Sequence, residues 1–196
     1  MTELIKSAEV FVAKMLESQL PAGMCYHNIE HTRFVVAALT EICKGANLPQ
    51  TDRDKLTLAG WFHDTGYCYS YIGHESISMT IAGDFMRTQN CSDNLIKSVR
   101  DCIRATQMPQ NPKTELEAAM CDADMAHLSS PEYFDHAALL RQEWASRLQK
   151  TYTDDEWQHL NLKHMADHTY FTDFALANWQ ERKHRNLKML RMALNE

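Results

Sequence analysis

Three short stretches hold the residues whose types and spacing can do chemistry. Tyr26-His27-Asn28-Ile29-Glu30-His31 places two histidines four apart, Trp61-Phe62-His63-Asp64-Thr65-Gly66 places a His-Asp doublet behind apolar residues, and Cys121-Asp122-Ala123-Asp124 places two carboxylates in a second apolar neighbourhood. Side chains at i and i+4 of a helix share a face, so His27 and His31 are predicted to point the same way. A charged aspartate is costly to bury without a partner, and a divalent ion shared between imidazole and carboxylate removes that cost. This donor set suits Mn, Fe, Co, Ni or Zn and suits calcium poorly. Such an ion keeps coordination positions open. It can polarise a phosphoryl oxygen and lower the pKa of a bound water, giving a nucleophile near neutral pH. From spacing alone, the alternative is that His63 and Asp64 cap the end of a helix.

Helices must position these residues. With 6 Gly and 5 Pro in 196 residues, turn formers are scarce, and no alternating strand pattern of useful length appears. Apolar residues recur at helical spacing over 3–20, and further helices are predicted from near Asn28 to Lys44, from near Thr51 to Gly66 and from about His74 to Thr88, the last with Ile77, Ile81 and Phe85 inward. Tyr67-Cys68-Tyr69-Ser70-Tyr71 reads as a tyrosine-rich loop at a pocket mouth. Ser92 caps a fifth helix, Thr114 and Glu117 form a capping box for a sixth, Ser130-Pro131 opens a seventh, and Thr153 and Glu156 form a second capping box. A last long helix covers about 172–194. The expected architecture is all-α, one domain over 1–196 of eight to nine helices. A metal-site core spans about 24–130, and C-terminal helices over 131–196 pack on it.

Composition narrows the function classes. The net charge is −6, from 20 basic and 26 acidic side chains, which argues against a nucleic acid polymer or an anionic membrane as partner. No stretch approaches the roughly 20 apolar residues of a membrane span, and Glu3, Lys6 and Glu17 interrupt any leader-like run. The six cysteines contain no CxxC, excluding a zinc knuckle or a thioredoxin-like motif. They read as free thiols of a cytoplasmic protein.

In order, His31 in His31-Thr32-Arg33-Phe34-Val35-Val36, the doublet His63-Asp64, the aspartate of Asp122-Ala123-Asp124 and the helix start His74-Glu75-Ser76-Ile77-Ser78 resemble the HD-domain metal-dependent phosphohydrolase superfamily, in particular its small stand-alone bacterial hydrolases. The resemblance spans roughly 24–130 and agrees with the helical reading. It implies that His31, His63, Asp64 and one of the two later aspartates bind one divalent transition metal ion. Residues two apart on a helix point about 200° apart, so only one of these aspartates can face the ion. The family pattern favours Asp124, with Asp122 as the alternative. Asp64 is then both ligand and catalytic residue.

Around that centre, His27 is expected near the substrate, and His74 at a second ion or the substrate phosphate. Glu75 is the nearest general acid or base, and Thr65 is expected to orient a bound water. Arg104 and Lys113 are candidates to hold phosphate. Some relatives carry two ions and supply a further histidine from the following helix. Here that region reads Ile103-Arg104-Ala105-Thr106, a departure that counts against a dinuclear iron oxygenase. In the C-terminal third, His164 and His168 are expected on the outer face of packing helices, Trp144, Trp157 and Trp179 in the core, and His168–Thr172 with Lys183 and Asn186 closing over the site. The expected activity is hydrolysis of a nucleotide-like or other small phosphoester, whether monoester or diester. A nucleotide-binding module without turnover is the non-enzymatic alternative, and a homodimer is the assembly left open.

Overall fold

A computed structural model describes residues 1–194. Ten α-helices and two 3-10 turns make up its elements, and no strand occurs among the described residues. The helices are α1 Thr2–Gln19, α2 Ile29–Gly45, α3 Gln50–Phe62, α4 His74–Thr88, α5 Asp93–Ala105, α6 Glu115–Asp124, α7 Tyr133–Leu148, α8 Asp154–Asp167, α9 Asp173–Asn178 and α10 Gln180–Leu194. The 3-10 turns span Thr65–Cys68 and Met125–Ser129.

Helices α1 to α6 enclose the main core. Val12, Val35, Leu39, Leu56, Phe62 and Ile103 are among its buried side chains. A smaller apolar cluster of Leu128, Tyr133, Met165 and Leu190 joins α7, α8 and α10 to the second 3-10 turn. No helix among the described residues is long and apolar enough to cross a membrane.

The ends of these helices follow from local chemistry. Asn28 caps α2, its side chain accepting from the backbone N–H of Glu30 at 2.9 Å and of His31 at 3.4 Å. The Thr153–Glu156 capping box is complete. At Thr114 only half of one forms, because the Glu117 carboxylate accepts from the Lys113 N–H at 2.7 Å.

Four expectations change. The predicted last helix is two, because the chain breaks step at Trp179, whose ring is buried against Tyr170 and Phe174; the helix total therefore exceeds nine. Helix α3 ends at Phe62, and the residues through Gly66 enter a 3-10 turn instead. Helix α7 begins at Tyr133, because Ser130 accepts from the Glu132 N–H and holds 130–132 as a turn. The inward face of α4 runs Ser78, Ala82, Phe85 and Met86, leaving Ile77 and Ile81 half-buried.

Two glycines set the spacing that the site needs. A Cβ on Gly60 would lie 2.7 Å from Leu39 Cδ1, so the bare backbone lets α3 approach α2. A Cβ on Gly66 would lie 2.0 Å from the His74 carbonyl oxygen, so only glycine lets α4 start against the first 3-10 turn. The Gly66 N–H also donates to Ser78 Oγ at 2.8 Å, tying the two elements together.

Candidate metal centre

His31 comes from the first turn of α2, His63 and Asp64 from the end of α3, and Asp124 from the end of α6. Their donor atoms converge. His31 Nε2 and His63 Nε2 are 3.4 Å apart. Asp64 Oδ2 lies 3.4 Å from the first and 3.2 Å from the second. Asp124 Oδ1 lies 3.4 and 3.6 Å from the same two atoms. Bonds of about 2.1 Å to a common ion separate adjacent donors by roughly 3.0 to 3.4 Å. The 3.4 to 3.6 Å spacings among His31, His63 and Asp124 are close to that, these three forming a group that could hold an ion. Asp64 lies beside both imidazoles but outside that group.

Two further observations fit a metal. The His63 Nδ1–H donates to the Gly60 carbonyl at 2.8 Å, which leaves the Nε2 lone pair facing the cluster. Asp64 Oδ2 is buried and makes no hydrogen bond, even with two imidazole nitrogens beside it. An orphaned buried carboxylate oxygen is costly, and a cation satisfies it.

The electrostatics point the same way. Burial works against the charged forms, yet His63 and His74 hold the Asp64 carboxyl well below the ordinary range. Burial likewise opposes ionisation of Asp124, and His31 and His63 overcome it. In return Asp64 and Asp124 hold the His63 imidazole well above its ordinary pKa against the effect of burial. Without an ion, a proton is the only positive charge that balances the cluster.

Asp122 points elsewhere. Its carboxylate accepts from the backbone N–H of Phe171 at 2.9 Å, and from the Thr172 N–H and hydroxyl at 2.8 and 2.7 Å. It anchors the start of α9, while Asp124, two residues on, faces the imidazoles.

On one side the cluster opens into a cavity of about 360 Å³. His27, His74 and Glu75 line it. His27 does not share a helical face with His31, since it precedes the Asn28 cap. Its ring stacks on Tyr67 at 4.5 Å, and Tyr67 stacks on His74 at 3.8 Å. His74 Nε2 approaches the other Asp64 oxygen, Oδ1, at 3.3 Å, and His74 Nδ1 lies 3.7 Å from Glu75 Oε2. Tyr67 and Tyr71 line the cavity, whereas Tyr69 projects into solvent.

Other candidates fall outside it. The Thr65 hydroxyl donates to the Phe62 carbonyl at 2.8 Å and closes the end of α3 rather than reaching a bound water. Arg104 is exposed on α5 and pairs with Asp101 at 2.8 Å. With Lys113 it lines a separate depression. His168–Thr172, Lys183 and Asn186 do not close over the site. The Lys183 ammonium is buried on the His168 carbonyl and ring, and Asn186 donates to the carbonyls of Leu128 and Ser130. Lys183 thus ties α10 to the end of α8, and Asn186 ties it to the second 3-10 turn. His164 turns inward and lines the cavity, and so does Trp144.

Sequence reasoning missed Glu143. It is fully buried on α7 and collects four donors: the backbone N–H groups of Tyr26 and His27, the His27 ring at Nδ1 and the Tyr71 hydroxyl. The sequence signal was a carboxylate beside Leu140 and Trp144 on the apolar side of α7.

An all-helical fold brings His31, His63 and Asp124 into one group that could hold a metal ion, with Asp64 beside both imidazoles, in the order His, His-Asp, Asp. A family model, HD domain, matches residues 28–128, just over half of the chain, and this protein belongs to that family. Comparison with curated proteins and with solved structures returned no match.

Proposed function

We propose that the protein is a metal-dependent phosphohydrolase acting on a small phosphoester. The observation that carries this reading is the convergence of His31, His63 and Asp124, with Asp64 beside both imidazoles, at the wall of a ligand-sized cavity. These four residues would hold one divalent transition metal ion. When bound, such an ion supplies a Lewis acid for a phosphoryl oxygen and an acidified water.

The remaining steps belong to side chains. Glu143 fixes the His27 ring through Nδ1, leaving Nε2 as the nitrogen that meets a substrate. A histidine oriented by a carboxylate is suited to give a proton to the leaving alkoxide oxygen. Glu75 sits at the cavity wall beside His74, within the same space, and takes up a proton from the attacking water. His74, whose imidazole Asp64 and Glu75 hold above its ordinary pKa against burial, supplies positive charge near the phosphate. Nothing in Ile103-Arg104-Ala105-Thr106 offers an imidazole for a second ion, so the oxygenase alternative gains no support.

The test is a panel of phosphomonoesters and phosphodiesters with the protein loaded with Mn, Co, Ni, Fe or Zn. Alcohol and phosphate release are expected with at least one metal, lost together with bound metal in His63→Ala. No release with any metal and any ester would overturn the reading.

A further inference from the structure

The cavity carries more information than its metal end. Leu140, Trp144 and Leu148 of α7 line it while remaining only half-buried, so a row of apolar surface stands uncovered beside the metal centre. Tyr67 and Tyr71 add aromatic surface. No lysine or arginine is among the described lining residues, which include the carboxylates of Asp64, Glu75 and Asp124. The two cations expected to hold phosphate, Arg104 and Lys113, lie at the separate depression.

A second observation points to a ligand. Tyr26 is among the lining residues, and its hydroxyl is buried without a hydrogen-bond partner. It is thus a buried O–H donor without an acceptor. The Tyr26 ring lies 4.8 Å from that of the metal-cluster residue His31. A buried donor left unsatisfied is costly, and a phosphoryl oxygen satisfies it without bringing in a further cation.

We propose that the substrate is an ester carrying a single phosphate and a flat, apolar organic group, which lies on Leu140, Trp144 and Leu148 while Tyr26 donates to a phosphate oxygen. This rests on the hydrolase reading above. Each added phosphate brings negative charge next to carboxylates in a cavity with no lysine or arginine, where repulsion is weakly screened. An apolar group gains from covering the α7 row, at roughly tenfold or more in kcat/KM for each methylene-sized increment. The volume of about 360 Å³ suits one ring and one phosphate.

Benzyl phosphate, ethyl phosphate and ATP, presented to the manganese-loaded full chain, test this. The first two leave as alkoxides of similar basicity, so their ratio reports the organic group. Benzyl phosphate is expected to exceed ethyl phosphate at least tenfold in kcat/KM, and ATP to trail both. Leu140→Ala and, independently, Leu148→Ala are expected to lower the benzyl-to-ethyl ratio at least threefold. Tyr26→Phe is expected to weaken both esters about tenfold with metal content unchanged. Calorimetry with benzylphosphonate and ethylphosphonate separates the two proposals. Tighter binding of the benzyl compound without turnover of any ester overturns the hydrolase reading and supports the cavity assignment. Turnover with no benzyl preference, or with ATP preferred, overturns the cavity assignment alone. Neither binding nor turnover overturns both.

Discussion

Glu143 grips His27 twice, accepting from its ring at Nδ1 through one carboxylate oxygen and from its backbone N–H at 2.9 Å through the other, across 116 residues of sequence. The carboxylate sits on α7, outside the residues that match the family. A helix of the C-terminal third therefore fixes a residue that lines the cavity.

If His27 gives a proton to the leaving group, its loss should matter most where that group is a poor one. His27→Gln and Glu143→Gln are each expected to lower kcat on alkyl phosphates by about a hundredfold or more. On p-nitrophenyl phosphate, whose leaving group needs no proton, the loss should be small. Bound metal should be unchanged in both variants. Equal losses on both esters would assign the pair a purely structural role.

Asp122 and Asp124 separate structure from chemistry within one helix turn. Asp122→Ala leaves three donors at Phe171 and Thr172 without their acceptor, and is expected to reduce stability by about 2 kcal/mol with metal retained. Asp124→Ala is expected to lose metal and activity. Thermal unfolding and metal content of the two proteins check this.

Gly66→Ala brings a methyl group against the His74 carbonyl, at 2.0 Å before relaxation. The start of α4 must move, taking His74 from Asp64. A loss of about 1 to 3 kcal/mol is expected, with activity reduced and metal retained through His31, His63 and Asp124.

Stability should fall in mild acid. Burial, then the nearby Lys183 ammonium, push the His168 imidazole down to about 3 in the folded protein. The unfolded chain protonates it near its ordinary pKa of about 6.5. Protonation thus favours unfolding: the contribution of His168 is complete above about pH 6.5 and is lost as pH falls towards 3, by at most about 1.4 kcal/mol per pH unit. Denaturant titrations between pH 7 and 5 should show this slope, and His168→Gln should flatten it.

The legible parts of the fold were those with local causes. Ser92, Thr114 and Thr153 each cap a helix through bonds spanning three residues, which spacing reveals. The doublet His63-Asp64 was legible because an apolar helix ends on it. The helical face expected to be shared by His27 and His31 fails because α2 begins only after the Asn28 cap, one residue beyond His27. Arg104 lies away from the cluster, paired with Asp101 three residues earlier. The Glu143 contacts with Tyr26 and His27, and those of Asp122 with Phe171 and Thr172, join distant segments, and periodicity carries no signal for them.

The most direct measurement is elemental analysis of protein purified without added metal or chelator, before and after incubation with Mn, Fe, Co, Ni and Zn. About one transition metal ion per chain is expected, absent from His63→Ala and Asp124→Ala and present in Asp122→Ala. No ion under any of these conditions, or an ion that persists in His63→Ala and Asp124→Ala, would contradict a metal centre built from His31, His63, Asp64 and Asp124.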